Sequence, residues 1–301
     1  MSNPEYPTTS TPSVDALRAR TADLPLTVPG ADALSGLTLV MSGGSRGIGL
    51  EIALAAARHG ANIAMLAKTA EPDPRIPGTI FSAAAAIEAA GGRALPVVGD
   101  VRDDDDVARV VDRAVEVFGG VDIVVNNASA INLHPTVELP MKRLDLMLDI
   151  NIRGTFALTR AALPHLLDSG HGHILTLSPP LNTDTWIGNF PAYAVGKYGM
   201  SVLALGWAGE FAGRVSSNAL WPETTIATAA VKNTDGLGGD ESVRHSRGPE
   251  IMADAALAVL ATAPGAVTGH TLVDADVMRA TGMADLSGYG GEEPLTLDLF
   301  L

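Results

Sequence analysis

The chain has 301 residues, 47% of them apolar and 18% charged, with a formal net charge of −14 and no cysteine. The missing cysteines exclude disulfide-stapled modules, zinc ribbons, iron–sulfur clusters and thiol nucleophiles, and the acidic balance leaves no basic stripe for a nucleic acid or an anionic membrane surface. No stretch reaches the ~18 uninterrupted apolar residues of a spanning helix, and the first residues lack the basic start and apolar run of a signal peptide, so the expectation is a cytoplasmic protein.

Residues 1–33 are rich in Pro, Thr, Ser and Asp without sustained periodicity, and a flexible arm is expected there, with the domain starting near Leu34. From that point short β-type runs alternate with longer helical ones. LTLVMSG (37–43) reads as a strand and GIGLEIALAAARHG (47–60) as its helix. NIAMLAK (62–68) is a second strand, residues 69–78 a proline-broken loop and TIFSAAAAIEAAGG (79–92) a glycine-closed helix. ALPVVGDV (94–101) is a third strand. The acids Asp103–Asp106 open the next helix, where they favour the macrodipole and cap free amides; adjacent acids fan around a helix instead of converging on a metal.

VDIVVNNAS (121–129) is a fourth strand, followed by a long amphipathic stretch over 137–167 and a fifth strand at 171–178. His171 and His173 share one face of that strand, with no third ligand placed for a metal. Residues 191–213 form a helix, 214–222 a sixth strand, 223–247 a substrate loop, 248–264 a last helix and 268–276 a seventh strand. This alternation predicts an α/β fold: a single doubly wound Rossmann domain over 34–301, with an approximately seven-stranded parallel sheet and helices on both faces.

SGGSRGIG (42–49) lies between the first strand and its helix, where a doubly wound sheet sets a phosphate against a helix N-terminus. Lacking a Gly-Lys-Ser/Thr triplet, it is not a triphosphate-hydrolysing loop. An NAD site usually carries an acid at the end of the second strand; here that strand ends Ala67-Lys68-Thr69. Arg46 and Lys68 would instead meet a 2′-phosphate, so NADP is expected in preference to NAD. Tyr193 and Lys197, four apart in a helical segment, share a face, and an ammonium near a phenol lowers its pKa toward working pH.

With these segments the chain resembles the short-chain dehydrogenase/reductase family. The resemblance rests on SGGSRGIG, GDV (99–101), NNAS (126–129), DINIRGTF (149–156), YAVGK (193–197) and ALWPETTIAT (219–228), and covers roughly residues 36–275. More narrowly, AKTAEPDPRIPGTI, LSPPLN, GKYGM and NALWPETTIATAA look like the subgroup of hydroxysteroid dehydrogenase-like protein 2. Members of that subgroup often carry a sterol-carrier domain, which 301 residues are expected to lack.

The resemblance implies roles at matching positions. Tyr193 would be the acid/base, Lys197 would hold the nicotinamide ribose and depress the tyrosine pKa, and Asn151 would order a water relaying protons to Lys197. Gly43, Ser45, Arg46, Ile48 and Gly49 would cradle the pyrophosphate and ribose; Asp100 and Val101 would flank the adenine; Asn127, Ala128 and Ser129 would line the cleft. Pro222, Ile226 and Thr228 would approach the carboxamide, although Glu223 replaces the family's usual glycine and the Ile/Thr spacing is one residue longer. The family's catalytic serine, thirteen residues before the tyrosine, falls on Pro180, or on Pro179 when the fifth strand is aligned. Ser178 is the nearest hydroxyl and is taken as the catalytic candidate, with Asn182 and Thr183 as substitutes; Ser178 as a mere strand end stays an open alternative.

Trp186, Ile187, Phe190 and Trp221 would form an apolar mouth for a lipophilic alcohol, ketone or aldehyde, although core packing explains the same aromatics. The expected activity is NADP-dependent hydride transfer between such an alcohol and its carbonyl. A low-turnover nucleotide-binding sensor, scaffold or lipid-handling protein is the alternative, motivated by the displaced serine. The family also implies a homodimer or homotetramer through the helices near 137–167 and 192–213.

Overall fold

In a computed structural model the described residues are 18, 20–73, 77–182, 190–234 and 236–301. The sheet has seven parallel strands in the order β3-β2-β1-β4-β5-β6-β7: β1 (Thr38–Ser42), β2 (Asn62–Ala67), β3 (Arg93–Val98), β4 (Ile123–Asn126), β5 (His173–Leu177), β6 (Ser216–Trp221) and β7 (Thr271–Val273). Every residue of β1, β2, β4, β5, β6 and β7 is buried, because a parallel sheet covered on both faces has no wet side. β3 is one of the two edge strands; its ends are exposed, and it accommodates Pro96 opposite Met65, as an edge strand tolerates. The predicted doubly wound α/β architecture is the one observed.

One face of the sheet is covered by α1 (Gly47–Arg58), α2 (Ile80–Ala89) and, further along the chain, the helix Glu250–Leu260. Small residues of α1, Ala53, Ala55 and Ala56, are buried in the cluster that holds Ile251–Leu260, and Leu26 and Leu34 fill the same core. The other face carries α3 (Asp104–Phe118) and the helix Thr155–Asp168, through Val107, Val110, Leu158 and Ala162. Asp103 caps α3, its carboxylate accepting from the amides of Asp105 and Asp106 at 2.9 and 3.1 Å, and Gly119 ends the helix at φ 95°. Arg18, from the N-terminal stretch, pairs with Glu223 and, at 2.9 Å, with Asp276.

Three regions differ from the predicted elements. The stretch over 137–167 divides into α4 (Met141–Met147), a wide π-helical segment (Leu148–Gly154) and α5 (Thr155–Asp168). The wide segment turns Asn151 inward and brings Gly154 so close to the loop after β3 that a Cβ there would lie 2.8 Å from Val101. After α6 (Pro191–Glu210), the substrate loop contains α7 (Ala229–Asn233), capped by the Thr228 hydroxyl, and α8 (Gly239–Arg244). After α9 (Glu250–Leu260), β7 stops at Val273 and α10 (Asp274–Ala280) begins. The chain turns there because buried Asp274 accepts from the amides of Ala275 and Glu223 at 2.6 and 2.8 Å, bonds a continuing strand does not offer. No helix among the described residues is long and apolar enough to cross a membrane.

Candidate active site

A cleft of about 640 Å³ runs along the ends of the strands, the edge at which open parallel sheets bind ligands. Its first wall is the loop after β1. Gly43 and Gly47 have φ of 74° and 55°, a region costly for any residue with a Cβ. The Asn127 side-chain amide donates to the carbonyls of Ser42 and Gly43 at 3.0 and 2.8 Å, and a Cβ on Gly49 would stand 2.4 Å from that nitrogen. The Ser42 hydroxyl accepts from the amide of Ala128 at 3.0 Å. The glycines thus let the loop, α1 and the end of β4 interlock. No side chain caps α1 and no acid lies in its first turn, so the start of α1, lined by Gly47 and Ile48 in the cleft, suits an anion.

At one end of the cleft Lys68 closes β2 with its side chain half exposed, and its ammonium lies 3.4 Å from Asp100. Arg102 also grips Asp100, and its hydrogen bonds, with Lys68 adding charge, hold that carboxyl at about 2. Arg46 donates to the Gly78 carbonyl at 2.9 Å. Gly43, Ser45, Arg46, Ile48, Lys68, Asp100 and Val101 all line this half of the cleft.

At the other end α6 presents Tyr193 and Lys197 side by side with Asn127, Ala128 and Ser129 from the loop after β4, and with Pro222, Ile226 and Thr228 beyond β6. Tyr193 and Ser129 share this end of the cleft, and the Ser129 side chain lowers the Tyr193 pKa. Lys197 Nζ donates to the Leu177 carbonyl at 2.8 Å and lies 4.8 Å from the centre of the Trp221 ring. Burial pushes Lys197 down to about 7. Burial and the charge of Asp298 raise the Tyr193 pKa, and the Ser129 side chain opposes them.

Asn151, Gly49 and Ser178 do not line the cleft. Asn151 is fully buried and clamps the backbone of Ala130, accepting from its amide at 2.7 Å and donating to its carbonyl at 3.0 Å. Gly49 acts through close packing. Ser178 is 0% exposed, and its Oγ has no hydrogen-bond partner among the described residues. Its amide bonds the Thr176 carbonyl at 2.9 Å in a tight turn, and buried Pro179 and Pro180 then carry the chain along the core. Asn182 is also buried, its carbonyl accepting from Tyr198 Oη. Thr183, Trp186 and Ile187 lie outside the described residues, while Phe190 and Trp221 join the apolar cluster around Tyr193.

Sequence reasoning missed Asp298 and Phe300. The segment around Leu297 pairs antiparallel with Thr224, the Asp298 amide donating to the Glu223 carbonyl at 3.0 Å. Asp298 accepts from the Trp221 indole and the Phe300 amide, and burial raises its carboxyl to about 6. Phe300 packs against Tyr193, Tyr198 and Trp221. Glu223, noted as a departure from the family, anchors this corner. Although burial alone would raise it, hydrogen bonds from Arg247, Arg279 and Arg18 hold its carboxyl at about 2, with Arg247 at 2.7 Å.

The model of the short chain dehydrogenase family matches residues 38–236. Hydroxysteroid dehydrogenase-like protein 2 from Danio rerio is 52% identical over 271 residues, covering 89% of this chain and 64% of that protein; the chain therefore spans less than two-thirds of that relative's length. A solved short chain dehydrogenase from Mycobacterium thermoresistibile is 51% identical, covers 89% of this chain and 96% of its own, and superposes with a TM-score of 0.83. A short chain dehydrogenase from Burkholderia cenocepacia J2315, solved in complex with NADP, is 27% identical, with 80% and 96% coverage and a TM-score of 0.67. The motifs, the strand order and these matches agree, and the chain belongs to the short chain dehydrogenase family.

Proposed function

We propose that the protein is an NADP-preferring oxidoreductase that interconverts a lipophilic alcohol and its ketone or aldehyde, with Tyr193 as the acid/base. The observation that carries this reading is that one cleft joins the glycine loop to Tyr193 and Lys197. Bound in it, the nicotinamide cofactor would supply or accept the hydride.

The chain's own residues would do the rest. The loop Gly43–Ile48, with Gly49 behind it, fits a pyrophosphate, and Asp100 and Val101 flank the adenine side. Lys68 and Arg46 supply the cations that favour a 2′-phosphate, and no carboxylate stands at the end of β2 to favour a free ribose. Asn127, Ala128, Pro222, Ile226 and Thr228 wall the path to the reacting end. There Tyr193 Oη gives its proton to a carbonyl oxygen, or takes one from an alcohol. Lys197 gives one N–H to Leu177, leaving others for ribose hydroxyls. Asn151 acts by fixing the Ala130 backbone next to Ser129. Trp221, Ile131, Leu237, Leu299 and Phe300 make the reacting end apolar, which favours a lipophilic substrate.

The second reading, a nucleotide-binding sensor, scaffold or lipid carrier with little turnover, draws on the phenol raised by burial and on the inward-turned Ser178. Tyr193→Phe separates the two. Under the enzyme reading NADPH binding survives in the variant, while oxidation of NADPH by a panel of lipophilic ketones and aldehydes falls by orders of magnitude. Equal rates in variant and wild type would reject Tyr193 as the acid/base.

Val195 and Val202 on α6 and Phe156 on α5 are large, apolar and about half exposed. They support assembly of a homodimer or homotetramer through these helices, which light scattering at working concentration tests.

A further inference from the structure

We infer that Ser129 is a catalytic residue, the second hydroxyl of the proton-transfer site, standing where the chain has no usable serine at the end of β5. The inference rests on the proposed alcohol–carbonyl chemistry and on two observations, one in the loop after β4 and one in the loop after β5. Ser129 is exposed in the cleft that Tyr193 also lines, and its side chain acts on the phenol to lower its pKa. Ser178, the alternative hydroxyl, is sealed in the core with no hydrogen-bond partner among the described residues, next to two buried prolines.

Ser129 is also held in place. Just before it, the amides of Asn127 and Ala128 donate to the Ser42 hydroxyl; just after it, both backbone groups of Ala130 are clamped by Asn151. A hydroxyl fixed from both sides keeps its direction without reorganising during the reaction. When a carbonyl is reduced, its carbon gains the hydride and its oxygen gains the Tyr193 proton, so the alcohol forms and the phenol is left as phenolate. Ser129 makes and breaks no covalent bond. It donates to the oxygen on which negative charge collects, first on the substrate and then on the phenolate. In a cavity that burial and Asp298 make hostile to a phenolate, this donor opposes both.

The test compares wild type, Ser129→Ala, Ser129→Thr and Ser178→Ala for NADPH oxidation by the ketone and aldehyde panel across pH. Ser129→Ala is expected to lose ~10²–10³ in kcat, the usual loss for one such donor, with NADPH still bound and the pH limb belonging to Tyr193 moved upward. Ser129→Thr should recover most of the rate and the wild-type limb. Wild-type kcat and pH profile in Ser129→Ala, or a greater loss in Ser178→Ala, overturns the inference. If wild type reduces no member of the panel, the proposed function fails and the pairing is read without turnover, from the carbon-13 resonance of Tyr193 Cζ, assigned by its loss in Tyr193→Phe. That resonance should move in Ser129→Ala and return in Ser129→Thr; an unmoved resonance overturns the inference on its own.

Discussion

Phe300 packs against Tyr193 with ring centroids 5.9 Å apart and an interplanar angle of 50°. The same ring meets Tyr198 and Trp221 edge-on at 5.3 and 5.5 Å, arrangements that aromatic quadrupoles favour. A residue more than a hundred positions from Tyr193 in sequence therefore forms the wall of the reacting end.

Replacing that wall should separate substrate binding from cofactor binding. Phe300→Ala removes apolar surface worth about 1.5–3 kcal/mol when buried against a ligand, so KM for lipophilic substrates should rise roughly 10- to 100-fold. NADPH affinity should change little, because the glycine loop and Lys68 lie at the opposite end of the cleft. Steady-state kinetics beside NADPH fluorescence titration measures both.

Cofactor choice should depend on Lys68. A charge-assisted contact to phosphate contributes about 1.5–3 kcal/mol, so Lys68→Ala should weaken NADPH binding by roughly 10- to 100-fold and leave NADH binding nearly unchanged. Lys68 gives up its 3.4 Å pairing with Asp100 at little cost, since Arg102 already neutralises that carboxylate. Calorimetric titration with both dinucleotides gives the ratio directly.

Glu223 should dominate the acid stability of the corner that carries the Asp298–Phe300 segment. Its carboxylate is 7% exposed and paired with equally buried Arg247; removing one member of such a pair typically costs about 3–5 kcal/mol. Glu223→Gln should lose that much near neutral pH. Because the folded carboxyl titrates at about 2 instead of 4.5, its stabilisation is full above 4.5 and fades as the pH falls toward 2. The variant should accordingly lose less stability than wild type over that interval, measured by denaturant unfolding at each pH.

The sheet and half of the site were legible because each cofactor-side residue lies in a loop directly after a strand. Once the alternation fixes parallel strands, Gly43, Lys68, Asp100 and Asn127 must gather along one edge. Tyr193 and Lys197 were legible from helical spacing. Their electrostatic surroundings were not: Lys197 donates to the Leu177 carbonyl, and both groups feel the charge of Asp298, which arrives from another part of the chain. Asp298 and Phe300 left no local signal, since their position depends on the pairing of Leu297 with Thr224. Ser178 had the right neighbourhood in sequence, but the turn into Pro179 and Pro180 directs its hydroxyl into the core. Glu223 was visible as an anomaly; its meaning required Arg18, Arg247 and Arg279, spread over most of the chain.

Isotope transfer follows the Tyr193-dependent hydride from cofactor to substrate. Wild-type protein is incubated with NADPH deuterated at the nicotinamide C4, in turn on each face, and with a panel of lipophilic ketones and aldehydes; the products are analysed by mass spectrometry. The expected product is an alcohol carrying deuterium on the former carbonyl carbon, from one face of the cofactor only, with product formation lost in Tyr193→Phe while NADPH remains bound. Bound NADPH with no deuterated alcohol from any member of the panel, or equal transfer in Tyr193→Phe, would contradict Tyr193-dependent hydride transfer.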